Sequence, residues 1–353
     1  MIRVEPIRFW SIAFILFFAL LWLLKPVLLP FLIGMVIAYF LNPVVNYLTH
    51  KNLPRWAGSL GVLLGFGLIV GGILTLIMPL LETQVGALIN AIPGYVEKFR
   101  GHYVPWMESW LSRFAPEDVD KLRDAATQSV GQTAGWIGNV AKHVVSGGIA
   151  IIDILALFII TPVVAFYMLR DWPKITESID SLFPRRYYDV IHAQLDEIDQ
   201  TLSGFIRGQA LVCVALGAWY SIGLTLVGLQ YGAAIGICAG VLTFIPYVGT
   251  SMGWITSLLV ALSQYNDDWT HIGMVVGVFL VGHVLESYVL TPRLVGHRVG
   301  LHPVWILFAL IAGAKLMGFT GVLIAVPVAA VLGVLTRFAI RQYKASPVYK
   351  DQL

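Results

Sequence analysis

Charge is scarce in this sequence. Asp, Glu, Lys and Arg make up only 12% of 353 residues, about half the ~25% usual in soluble domains. Folded in water, a chain of this length would form about two domains and would need far more charge to cover their surfaces, which argues against a soluble globule. Cysteine is nearly missing as well. Cys213 and Cys238 both sit inside apolar runs, where they read as small buried hydrophobes rather than a disulfide. No Gly-rich loop ends in Lys-Ser/Thr, which excludes nucleotide hydrolysis by that route. The eight histidines do not pair with other ligand types at zinc-site spacing, and no His-Glu-x-x-His occurs. No catalytic residue, metal or cofactor is therefore expected, and the chain does not read as an enzyme. A net charge of +3 is too small to suggest nucleic acid as a partner.

What the sequence has is apolar length: 58% of its residues are hydrophobic, in blocks that a lipid bilayer would have to cover. Phe9 to Leu24 follows Arg3 and Arg8 like a signal peptide, but no small-residue cleavage site follows. Lys25-Pro26 leads directly into Val27 to Leu41, so an uncleaved helical hairpin is expected. Ala57 to Leu81 carries no charge and exceeds the ~20 residues a spanning helix needs. Its Gly61, Gly65, Gly67 and Gly71 have the spacing that admits a second helix closely. These spans form an amino-terminal segment, 1–81. Residues 82–148 are polar and of mixed charge, an extracytoplasmic helical excursion by this reading. A fourth span at 149–169 and amphipathic helices at 170–207 follow. In the latter, Leu195, Ile198, Leu202 and Phe205 recur at helical spacing among Asp196, Glu197, Asp199 and Gln200.

The remaining 208–340 segment is unusual, with 341–353 as a tail. Tyr231 to Leu262 and Val304 to Ala339 are apolar blocks that would each measure roughly 50 Å as one straight helix, against a hydrocarbon core of ~30 Å. The first is broken by Ile245-Pro246-Tyr247-Val248-Gly249-Thr250, the second by Gly313, Lys315, Gly318 and Gly321. Irregular backbone at membrane depth is tolerated only where it is buried in protein or lines a cavity. Short cytoplasmic loops are rich in Lys and Arg. With a cytoplasmic amino terminus and two re-entrant hairpins, the loops of Arg170, Arg185, Arg186, Arg293 and Arg298 all fall inside, while Asp267 and Asp268 face out. The units around the two hairpins are then inverted. At an offset of 72, Gly228-Leu229 matches Gly300-Leu301, Tyr247 matches Phe319 and Gly249 matches Gly321. Inverted-repeat transporters bind their substrates between such broken helices.

Ionisable residues in apolar surroundings are costly and mark functional candidates. Glu286 lies near the end of the one ordinary span between the two blocks, Thr270 to Leu290, with His283 one turn earlier. Lys315 lies near the second break, and Asp153 lies one turn into the fourth span. Thr250, Ser251 and Thr320 begin second half-helices, where hydroxyls cap free amides or meet a polar solute. The candidate substrate- or ion-binding set is Lys315, Glu286, Pro246, Tyr247, Gly249, Thr250, Gly318, Thr320, Gly321 and Asp153. Helix capping and ordinary packing are the competing explanations for the hydroxyls and glycines.

Several runs carry a family resemblance: Gly204-Phe205-Ile206-Arg207-Gly208-Gln209, Phe244-Ile245-Pro246-Tyr247-Val248-Gly249, and Glu286 through Pro292-Arg293-Leu294-Val295-Gly296 to Leu301-His302-Pro303. Gly313, Gly318, Gly321 and Ala325-Val326-Pro327 complete them. In this order they resemble the autoinducer-2 exporter (AI-2E) family of bacterial inner-membrane transporters. Thr250 departs from the proline often found after that glycine. The resemblance implies a polytopic homo-oligomer, a pentamer, that exports the furanone autoinducer-2 or exchanges sodium for protons.

The expectation is an all-α polytopic membrane protein with about six full spans and two re-entrant hairpins in an inverted repeat. It would be a secondary transporter moving a small polar solute outward, coupled to H+ or Na+, with both termini cytoplasmic. The alternatives are a cation/proton antiporter and a non-transporting membrane scaffold, for which flux would equal that of empty vesicles.

Overall fold

The computed structural model describes residues 27–105, 151–266, 268–295 and 300–346, with isolated positions 16, 20, 23, 24, 109 and 349. Most of the Phe9 to Leu24 arm, most of the 82–148 excursion, the 296–299 loop and the end of the tail lie outside the described residues. The order is α1 (Leu28–His50), α2 (Arg55–Lys98), a π-helical turn (Phe99–Tyr103), α3 (Ile151–Ser181), α4 (Tyr188–Leu226), α5 (Gly232–Leu242), α6 (Val248–Tyr265), α7 (Trp269–Val284), a π-helical stretch (Leu285–Val295) and α8 (Pro303–Ala345). No strand occurs among the described residues. Five described helices are long and apolar enough to cross a membrane. The chain is an all-α polytopic membrane protein.

Two compact units divide it: residues 1–67, 153–207 and 295–353 form the first, and 68–152 with 208–294 the second. In the first unit, Ala38, Leu41 and Val45 of α1 pack with Ala165 and Leu169 of α3. Gly34 permits this, because a Cβ there would lie 2.8 Å from the Thr161 carbonyl oxygen. Pro173 lies inside α3 and has no N–H to give the carbonyl four residues back, that of Leu169. Arg55 supplies the donor instead, Nε to the Leu169 oxygen at 2.9 Å, while its other nitrogens reach Asn46 and Asn42 at 2.7 and 2.8 Å. One guanidinium thus repairs a proline break and ties the two ends of the α1–α2 turn together.

α2 does not stop where its apolar run does. It continues through Glu82 to Lys98 over 44 residues, about 66 Å at 1.5 Å per residue. No described atom lies within 4 Å of a Cβ built at Gly61, Gly65, Gly67 or Gly71, so the close approach suggested by their spacing is not made among the described residues. α4 is likewise continuous over 39 residues: the amphipathic stretch and the fifth span are one helix.

Both long blocks fold back on themselves. α5 has 11 residues, about 16 Å, and ends at a turn over 243–247. α6 then returns antiparallel, so that Gly253 meets Ala239 and Gly249 meets Thr243. In α8 the turn is a single residue, Gly318, at φ 63 and ψ −139. A Cβ at Gly313 would lie 2.5 Å from the Gly321 oxygen and 3.3 Å from the Ala325 side chain. Residues eight and twelve apart would be separated by about 12 and 18 Å along a straight helix. Each turn has one left-handed residue, Tyr247 (φ 69) or Gly318 (φ 63). Each block is also preceded by a left-handed glycine, Gly228 (φ 80) or Gly300 (φ 58), at the offset of 72 seen in the sequence.

Candidate functional site

The second unit assembles the first hairpin through glycine contacts. α5 lies against α4, where Cβ atoms at Gly236 and Gly240 would overlap the backbone of Ser221 and Gly217. With no side chain between them, the two backbones come into contact, and the turn at 243–247 is carried down beside α4. Gln209, buried on α4, donates from Nε2 to the Thr243 carbonyl at 2.6 Å, and the Thr243 hydroxyl donates to the Ala239 carbonyl at 2.8 Å. The Thr243 carbonyl, just past the end of α5, thus finds a side-chain donor, while the Ala239 carbonyl takes the Thr243 hydroxyl in addition to the Thr243 N–H. Gln209 belongs to one of the runs that carry the resemblance, but nothing in the sequence marks its bond to Thr243, because a glutamine entering a span reads as ordinary interface polarity.

Beyond the turn, α6 starts from Tyr247, which has left-handed backbone and no side-chain capping bond. Thr250 lies in its first turn. Its hydroxyl does not cap the helix: it donates to a Glu286 carboxylate oxygen at 3.1 Å. Glu286 is half-buried and sits where α7 gives way to π-helix at Leu285. Pro292 accounts for part of that change, since it cannot donate to the fourth carbonyl before it, and π-turns recur at functional sites. The negative carboxylate beside the first turn of α6 also suits the positive end of that helix dipole. Among the described residues no lysine or arginine pairs with Glu286, Arg293 included. His283, one turn back, is exposed.

A further residue belongs to this cluster. Tyr220 of α4 is fully buried, stacks on Phe279 at 4.6 Å between ring centroids, and neighbours both Thr250 and Glu286. Its ring fits because residue 282 is glycine, where a Cβ would stand 2.7 Å from the tyrosine hydroxyl. An aromatic within an apolar run carries no mark of this in sequence.

The other candidates are placed as follows. Pro246 is half-buried and Tyr247 half-exposed in the turn, and Gly249 is buried against Thr243. Lys315, Gly318, Thr320 and Gly321 belong to the first unit, on the second hairpin. There Lys315 and Gly318 are exposed, while Thr320 and Gly321 are buried. Lys315 therefore stands on the outside of its own unit instead of being enclosed by it. Asp153 lies in the first turn of α3. The structure brings Glu286, Thr250 and the first turn together, and puts the second turn in a different unit.

Charged groups gather at the opposite ends of helices from the turns. In the first unit Glu197 accepts from Arg341 at 3.1 Å and from Arg337 at 3.4 Å. The hydrogen bond from Arg341, then that from Arg337, holds the Glu197 carboxyl below its ordinary range. Tyr39 donates to the carboxylate of Asp199 and to its carbonyl. In the second unit Asp268 caps α7 and contacts His271 at 2.6 Å, which lowers its own carboxyl.

Comparison with known proteins adds to this geometry. The family model described as AI-2E family transporter matches residues 12–341. The candidate transport protein YrrI of Bacillus subtilis (strain 168) is 31% identical over 321 residues, covering 89% of this chain and 87% of the relative. A second Bacillus subtilis (strain 168) candidate transport protein, YueF, is 26% identical over 312 residues, covering 86% and 81%. The candidate permease PerM of Escherichia coli (strain K12) is 25% identical over 318 residues, covering 89% and 88%.

Proposed function

Because the chain belongs to the AI-2E family of transporters, we propose that it is an ion-coupled secondary transporter that moves a small polar solute such as autoinducer-2 out of the cell. It works in the bacterial inner membrane as a homo-oligomer, with both termini in the cytoplasm and the two folded-back blocks as re-entrant hairpins. The observation that carries this reading is the Glu286 carboxylate, half-buried and bonded to Thr250 beside the first turn, at the end of the apolar helix α7. A carboxylate there is expensive and is explained by an occupant that needs it. The turn would supply backbone groups to the solute, and Glu286 would exchange the coupling ion. Lys315, near the second turn, would offer positive charge to the solute.

The test is flux from proteoliposomes loaded with autoinducer-2. Wild type is expected to release it faster than protein-free vesicles, and Glu286→Gln at the protein-free rate. Equal release by wild type and empty vesicles would retire solute export and leave the antiporter or a scaffold. The same carboxylate also suits a cation/proton antiporter, the second reading. Vesicles without organic solute separate the two: sodium gradients would drive an internal pH change in the antiporter alone.

A further inference from the structure

Tyr220 is the unexplained residue of the second unit. Its hydroxyl is fully buried beside Thr250 but forms no hydrogen bond of good geometry with it or any other described group, although such orphaned groups are rare and costly. A phenylalanine would fill the same space without that cost. The hydroxyl is also positioned: it lies against the Gly282 backbone, one helical turn before Glu286, where any larger residue would push it away. Thr250 approaches from α6 and already bonds the carboxylate at 3.1 Å. Three oxygen-bearing side chains on three elements therefore converge, with one negative charge among them and no pairing lysine or arginine among the described residues.

We propose that Tyr220, Thr250 and Glu286 form a binding site for a single small monovalent cation, with the tyrosine oxygen as its third side-chain ligand. Hard oxygen donors suit an alkali ion, and one carboxylate balances one positive charge. Transition metals fit poorly, since no three His, Cys, Asp or Glu side chains group as a metal site among the described residues. A protonated primary amine shares the same chemistry, so the probes must distinguish it from the metal ion. The site deepens the transport reading and rests on it for its coupling role, whereas its occupancy is measurable without flux.

The experiment is thermal unfolding of the full chain in detergent, titrated with sodium chloride, ammonium chloride or choline chloride at constant ionic strength. A ligand of the folded state raises Tm in a saturable way. Sodium or ammonium is expected to do so and choline not, and whichever of the two acts identifies the occupant. Tyr220→Phe should need at least tenfold more cation for the same rise, with Tm in choline equal to wild type or higher. Glu286→Gln should abolish the rise. Thr250→Val gives a second reading of the tenfold loss should Tyr220→Phe not fold. Equal Tm curves in all three salts, or variants that titrate like wild type, overturn the site. Cation binding without solute flux would uphold the site and retire the solute-export reading; flux with no cation-dependent Tm would do the reverse.

Discussion

The two folded-back blocks reach one shape by different means. The first turn occupies five residues, has its strain on a tyrosine, and is fastened by Gln209 to Thr243 and by Glu286 to Thr250. The second is a single glycine. Near it Lys315, Leu316 and Phe319 are exposed, and the Gly313–Gly321 contact closes the arms. A left-handed backbone costs an ordinary residue about 1–2 kcal/mol, and such strain persists where surroundings enforce it, which is common at functional sites. By that measure the first turn is held in a strained form by its neighbours, and the second turns on a residue that takes a positive φ without strain.

What they share should give the largest effect. Gly240→Val and Gly321→Val each force a side chain into facing backbone, and each is expected to cost more than about 3 kcal/mol. Loss of monodisperse protein on size-exclusion chromatography would show it, whereas Gly65→Ala, with open space around it, should behave as wild type. A variant that spares one hairpin would break the equivalence. Next comes the fastening. Gln209→Leu leaves the Thr243 carbonyl without its buried donor and should cost about 2 kcal/mol, read as a lower Tm and faster hydrogen exchange over 239–247 alone.

The turn residues then sharpen the contrast, because their substitutions should act with opposite signs. Gly318→Ala is expected to destabilise by about 1–2 kcal/mol, and Tyr247→Gly to relieve about 1 kcal/mol of backbone strain, both from thermal unfolding. Equal effects would mean that the first turn is no more strained than the second. The smallest effect belongs to the far end of the second hairpin, where Arg337 and Arg341 hold Glu197. Its carboxyl lies below the ordinary value in the folded chain. Its contribution is therefore complete above about pH 5 and is lost as the pH falls through the lowered value. Glu197→Gln should flatten that part of the acid side of a Tm–pH profile by an amount small enough to need replicate scans.

The breaks were legible in sequence because proline and glycine at the middle of an over-long apolar run leave few alternatives, and Glu286 because a carboxylate in such a run demands an explanation. Lys315 was legible by the same argument, but no periodicity told which way it faced. Tyr220, Gln209 and Gly282 were not legible as a set. An aromatic in a span can face lipid or protein, a glutamine near an interface needs no partner, and Gly282 is one of 34 glycines. Their roles exist only once α4, α6 and α7 are packed. The bond from Arg55 to Leu169 was hidden likewise: Pro173 announces a free carbonyl, but its donor is 114 residues away.

That a long block folds back at its centre is tested most directly on α8, by the distance between spin labels at Val304 and Leu332, both exposed. They lie on the two arms of α8, whose ends meet where Leu301 touches Gly333. A hairpin places the labels within about two helix diameters, roughly 20–24 Å. A distance near 42 Å, that of 28 residues along one straight helix, would contradict the fold-back of α8 and with it the account of two folded-back blocks.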